Sequence, residues 1–219
     1  MNTHNVRAIS TCRAWLTAVV VLMLAGCSIL GGKSSDPVTI YSPDPRVQTD
    51  PSWPTVGWQL SMTSPHAARF IDTQRIAVRP AANEFQVYKD ASWAKRPSDM
   101  VEDALLRALE DSGRIPAVAR QGSGVSADYK LVLDLRRFEA DYAQPGAMPA
   151  ATIEVNAKLL HSSDQLVIAS RTFLQAQPTA STAIPDVVVA FEKSLEAITR
   201  ELAGWVLTTG EAHKRGAHK

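Results

Sequence analysis

At 219 residues the chain has room for one domain of ordinary size. Its composition, 45% hydrophobic and 21% charged, is that of a globular protein able to bury a core. A formal charge of +1 excludes the strong field that nucleic acid or an acidic substrate would call for, and its two cysteines, Cys12 and Cys27, both lie near the N-terminus.

The first 26 residues read as a signal peptide rather than as structure. Met1 to Arg13 carries Arg7 and Arg13 and no acid, and Ala14 to Leu24 is apolar except for Thr17. That run is short for a spanning helix, which needs about 20 apolar residues. Leu24-Ala25-Gly26-Cys27 follows and resembles the lipobox of bacterial lipoproteins. The pattern implies a diacylglycerol thioether on Cys27, cleavage before it, and acylation of the new amino group by a palmitate-like chain. Several chains hold a protein durably where one does not. Ser28, rather than Asp, after the cysteine favours the outer membrane over the inner, on the periplasmic side.

Residues 27–37 read as a lipidated flexible linker, with Gly31, Gly32, Ser34 and Ser35. The domain is expected to begin at Val38, where 38–41 looks like a short strand. Pro43, Pro45, Pro51 and Pro54 mark irregular chain. Trp58, Leu60 and Met62 alternate with polar residues, as do Ile76 and Val78, then Phe85 and Val87. Ser98 is the expected N-cap of a helix with Val101, Ala104, Leu105, Ala108 and Leu109 as its apolar stripe and Gly113 at its end. Tyr129, Leu131, Leu133 and Leu135 recur at period two, and residues 151–175 read as a β-hairpin turning at 161–164.

A second helix is predicted from Pro185 to Thr208, with Val188, Phe191, Leu195, Ile198, Leu202 and Trp205 on one stripe. Gly210 is expected to close it, leaving 209–219 as a disordered tail. The order predicts an α+β domain over 38–208, an antiparallel or mixed sheet with two helices packed on one face.

No catalytic group, metal site or cofactor is predicted. Neither His66 nor His161 is within ligand spacing of another His or a Cys, Gly122-Ser123-Gly124 is not a nucleophile elbow, and no phosphate-binding glycine motif occurs. The segment from Tyr88 to Pro97 stands out, because Tyr88, Trp93 and Arg96 combine aromatic and basic groups just before the first helix. Such residues serve as partner contacts, although Trp93 equally suits a cap on the core.

In order along the chain, several features resemble the ABC-type transport auxiliary lipoproteins, the family of the paraquat-inducible protein C type. They are Cys27, Tyr41-Ser42-Pro43, Ile76 to Arg79, Tyr88 with Trp93-Ala94, Leu109 to Gly113, Ala127 to Leu131, Arg137-Phe138-Glu139, Arg171-Thr172-Phe173, Val189-Ala190-Phe191 and Trp205. The proline-rich stretch 43–57 and Ile40-Tyr41 depart from the pattern. The resemblance implies a non-enzymatic accessory lipoprotein of intermembrane lipid transport. Its implied partners are a protein with the mammalian-cell-entry domain, an ABC permease and its ATPase, with homo-oligomerisation an open option. The alternative is a structural or assembly lipoprotein of the envelope.

Overall fold

The computed structural model describes residues 37–142 and 146–217. The signal peptide, Cys27 and the linker up to residue 36 lie outside the described residues. From Val38 onward the chain forms one compact unit.

The sheet is organised by one long strand. β1 (Thr39–Tyr41), β2 (Leu60–Met62), β3 (His66–Ala67), β4 (Arg75–Ala81), β5 (Glu84–Trp93) and β6 (Val118–Arg120) precede β7 (Tyr129–Asp141), followed by β8 (Ala150–His161) and β9 (Val167–Pro178). β7 pairs antiparallel with β8 along its whole length, and β8 with β9. Along its other edge β7 takes three parallel neighbours in turn: β2 at Tyr129, β3 at Asp134 and β4 at Ala140. β4 turns back antiparallel onto β5, β1 lies parallel to β5, and β6 lies parallel to β2. The result is a mixed nine-stranded sheet.

The 161–164 turn and the β8–β9 hairpin are where the alternation predicts them. The alternation along β7 is not uniform, however. Tyr129, Leu131, Leu133 and Leu135 are buried at odd positions, and then Phe138 and Ala140 are buried at even ones. A register shift between Leu135 and Arg137 inserts one residue, which moves the inward face by one position. β3 and β6 are too short to show a period and were not expected from the sequence.

Helix α1 (Pro97–Asp111) begins one residue earlier than its predicted cap. The N-cap position is Arg96, without a side-chain cap bond, and Ser98 is buried inside the first turn. The capping acceptor comes from elsewhere in the chain: Ser98 donates its N–H to Asp72 Oδ1 at 3.0 Å. Gly113 does follow the helix at φ 62°, a left-handed position that glycine adopts freely.

Helix α2 (Ile184–Ala217) is longer than predicted. It passes through Gly210, so the expected tail from 209 is helical as far as Ala217. The physical reason is packing. Gly210 is a seat for the Trp58 ring rather than a terminator, and the last turns are tied down by Tyr129. The Tyr129 hydroxyl donates to the Gly210 carbonyl at 3.2 Å and lies 3.1 Å from His213 Nδ1.

α2 packs across β8, β9 and α1, so both helices cover one face of the sheet. The core between them is aromatic. Phe138 of β7 stacks on Phe191 of α2 at 4.9 Å, and Trp93 meets both edge-on. Ser194 of α2 donates to the Ala151 carbonyl of β8 at 2.7 Å, fixing the helix over the strand.

Candidate functional site

The predicted contact segment runs along the end of β5 into α1, and the structure divides its residues. Trp93 is 1% exposed and belongs to the core. Its backbone N–H bonds to the Gln74 carbonyl, and its ring meets the stacked Phe138–Phe191 pair edge-on. It supports the segment from beneath and presents nothing to a partner, which agrees with the core-cap reading.

Tyr88 is half-buried. Its hydroxyl shares a hydrogen bond with that of Tyr142 at 3.1 Å, and burial pushes its pKa up, with the Tyr142 bond adding to the effect. Tyr88 and Tyr142 are 54 positions apart, and the β4–β7 pairing brings them together; no signal in the sequence marks the pair.

Arg96 is exposed and lies 3.2 Å from Asp99 and 3.9 Å from Asp72. The hydrogen bond to Asp99 raises the arginine's pKa. Around it, Lys95 pairs with Asp103, Arg120 with Glu102 and Asp103, and Arg107 with Asp44. The start of α1 is therefore a lattice of alternating charges. Such a surface offers many hydrogen bonds to a polar partner and little net charge to a simple ion.

On the far side of the sheet from the helices lies a second assembly that pattern reading missed. Glu139 is fully buried and bonded to Arg79 at 2.9 Å and Arg137 at 2.7 Å, while Arg137 also pairs with Asp141. The Arg79 guanidinium lies 4.0 Å over the Phe85 ring, which in turn packs on Phe70 at 4.4 Å. Arg137, Glu139 and Asp141 alternate along β7, and Arg79, the other partner of Glu139, lies 60 residues upstream, where no local pattern records it.

His161 and His213 approach with ring centroids 5.5 Å apart, and His161 lies 3.3 Å from Asp164. No group of three or more His, Cys, Asp or Glu side chains among the described residues is placed to hold a metal ion. Ser123 sits in the turn before β7, flanked by Gly122 and Gly124 at positive φ.

A family model described as the ABC-type transport auxiliary lipoprotein component matches residues 39–203, from the first strand through most of α2. The chain belongs to that family. Protein XCC0632 from Xanthomonas campestris is 54% identical in its crystal structure, covering 81% of this chain and 99% of that one with a TM-score of 0.78. A second solved structure, 10% identical with a TM-score of 0.57, covers 77% of this chain and 97% of its own and shares the fold. The Bradyrhizobium diazoefficiens protein bll6063 is 25% identical over 181 residues, which are 81% of this chain; the chain spans about half of that protein's length, 47%.

Proposed function

We propose that this auxiliary lipoprotein works at the periplasmic face of the outer membrane, tied there by acyl chains on Cys27. There it acts as a docking component of an intermembrane lipid transport system. Its partner is a protein with the mammalian-cell-entry domain, served by an ABC permease and its ATPase. The family match, from the first strand through most of α2, carries this reading. The lipobox at Leu24 to Cys27 supports the anchor, and the charged start of α1 around Arg96, beside half-buried Tyr88, supports a polar docking surface. The protein's contribution is binding and placement. It holds a partner near the membrane, and tethering of that kind raises the partner's effective local concentration.

The test is capture from detergent-solubilised envelopes with the lipidated protein as bait. Recovery of a mammalian-cell-entry protein is the expected result. Recovery of peptidoglycan-associated or assembly proteins in its place overturns the transport reading.

A further inference from the structure

Large apolar side chains are exposed on the far face of the sheet: Val38, Ile40 and Val87 lie around the start of β1, and Phe70 with Phe85 lies towards the β4–β5 turn. Val38, Ile40, Phe70, Phe85 and Val87 are each between 38% and 67% exposed. Directly paired residues project to the same side of a sheet. Ile40 is paired with Ser92 and Ser92 with Arg75, which puts these three on one face; Val87, paired with Ala77 beyond a register shift, lines the same recess as Arg75 and Ser92. Val38 and Val87 line a common recess with Arg75 and Lys89, and Phe70 packs on Phe85 beneath the Arg79 guanidinium. The helices cover the opposite face. Aliphatic and aromatic groups mixed with arginine and lysine are the composition of a surface that sits at a headgroup boundary.

We propose that this face of the β1–β4–β5 corner rests on the bilayer into which the Cys27 acyl chains insert. The inference rests on the anchoring reading above and adds the orientation of the domain.

The length of the tether selects the occupant. Eleven residues lead from Cys27 to Val38. Even fully extended, eleven residues reach only about 40 Å. A compact domain of this size is itself about 40 Å across. The surface around Val38 is therefore the part of the domain held closest to the membrane, and it is the part that carries the apolar and basic side chains.

The upstream chain is a poorer occupant of the same surface. Extending β1 along the open edge of β5 would require regular backbone at Asp90, which has φ 58°, and a donor at Pro37, which has no N–H. Residues 31–37 bring no large apolar side chain, and the first ones upstream, Leu30 and Ile29, stand eight and nine positions before Val38, beside the anchor cysteine.

The mature chain holds no cysteine besides Cys27, so single labels are selective. The lipidated protein carrying Val87→Cys, Ile40→Cys or Val189→Cys is labelled with an environment-sensitive fluorophore. Each is reconstituted into vesicles of phosphatidylethanolamine and phosphatidylglycerol with doxyl-labelled phosphatidylcholine as quencher. Val189 is exposed on α2 and serves as the distant position. The expected result is a blue shift and loss of emission at positions 40 and 87, with neither at 189. Mass spectrometry of the same preparation reads the acyl chains on Cys27 independently. If the acyl mass is absent, the anchor and this inference fall together. Acylated protein in which 40 and 87 are quenched no more than 189 overturns the orientation and leaves the anchor standing. A blue shift without doxyl quenching signals burial against protein and likewise overturns it.

Discussion

Trp58 and Gly210 occupy each other's space: a Cβ on Gly210 would stand 2.5 Å from Trp58 Cζ2. Six residues earlier on α2, a Cβ on Gly204 would stand 2.6 Å from Trp53 Nε1. The proline-rich stretch before β2 is thus held to the long helix by two indole rings laid over two glycines. Alanine at either site gains helix propensity of up to about 1 kcal/mol. It also drives a methyl into a buried ring, and overpacking costs about 1–3 kcal/mol. At Gly210, where Trp58 is fully buried and the clash is at 2.5 Å, the cost falls in the upper part of that range, about 2–3 kcal/mol, so Gly210→Ala is expected to lower stability by a net ~1–2 kcal/mol. Urea unfolding followed by circular dichroism reads it, and an unchanged midpoint contradicts the packing account.

Glu139 supplies a second prediction. Its carboxylate is fully buried between two arginines whose side chains are 21% and 26% exposed. Removing one member of a buried pair leaves uncompensated charge and costs about 3–5 kcal/mol, with the lower end apt here because the arginines still reach solvent. Glu139→Ala is expected to lose ~3 kcal/mol, and Glu139→Leu with Arg79→Met to recover part of it. Equilibrium denaturation of the single and double variants checks both.

The tyrosines set an alkaline limit. Burial raises the pKa of Tyr88, and burial likewise raises that of Tyr129. A group whose pKa is higher folded than unfolded contributes stability that is fully present below its unfolded value and is lost as pH rises. The unfolded value for tyrosine is about 10. Stability is therefore expected to be flat on this account below that pH and to fall above it, with Tyr88→Phe falling less steeply. Thermal midpoints measured across the alkaline range, with tyrosinate absorbance alongside, decide the matter.

The Tyr129 hydroxyl ties the last turns of α2 to β7, donating to the Gly210 carbonyl at 3.2 Å and lying 3.1 Å from His213 Nδ1. A single hydrogen bond of this kind is worth about 1 kcal/mol. His213→Ala is expected to speed amide hydrogen exchange across residues 211–217 and to leave β7 and β8 protected. Uniform exchange change across the sheet would show that the contact supports the whole domain instead.

Docking and folding separate at the β5–α1 corner. Trp93→Ala empties a core site and is expected to cost ~3–5 kcal/mol. Arg96→Ala removes an exposed ion pair, which adds little to stability, so its unfolding midpoint is expected to stay at the wild-type value. If the corner receives the partner, Arg96→Ala weakens partner capture while keeping that midpoint, and Tyr88→Phe weakens capture as well. Full capture by the Arg96 variant moves the docking surface elsewhere.

Much of the architecture was legible because it rests on local periodicity. The alternation from Tyr129 to Leu135, the hairpin through His161 and the stripe from Val188 to Trp205 each repeat often enough to state which face is buried. Three kinds of feature were not legible. β3 and β6 have two and three residues, and exist only because β7 and β2 offer backbone partners. The bulge after Leu135 changes the buried phase within one strand. Gly210 has the composition of a stop signal, and only the Trp58 ring above it turns the same residue into a packing site. At the candidate site, Trp93 and Arg96 look equally available in sequence, and burial alone separates the core ring from the exposed cation.

By itself the sequence determined the α+β class, the two helices, the hairpin and the family resemblance, since these follow from side-chain period and ordered motifs along the chain. The tertiary structure alone decided the mixed pairing around β7, the Arg79–Glu139–Arg137 cluster, the helical end of α2 and the exposed apolar corner at β1. Each of those depends on contacts between residues tens of positions apart, and no local pattern records which distant backbone or side chain will fill the space.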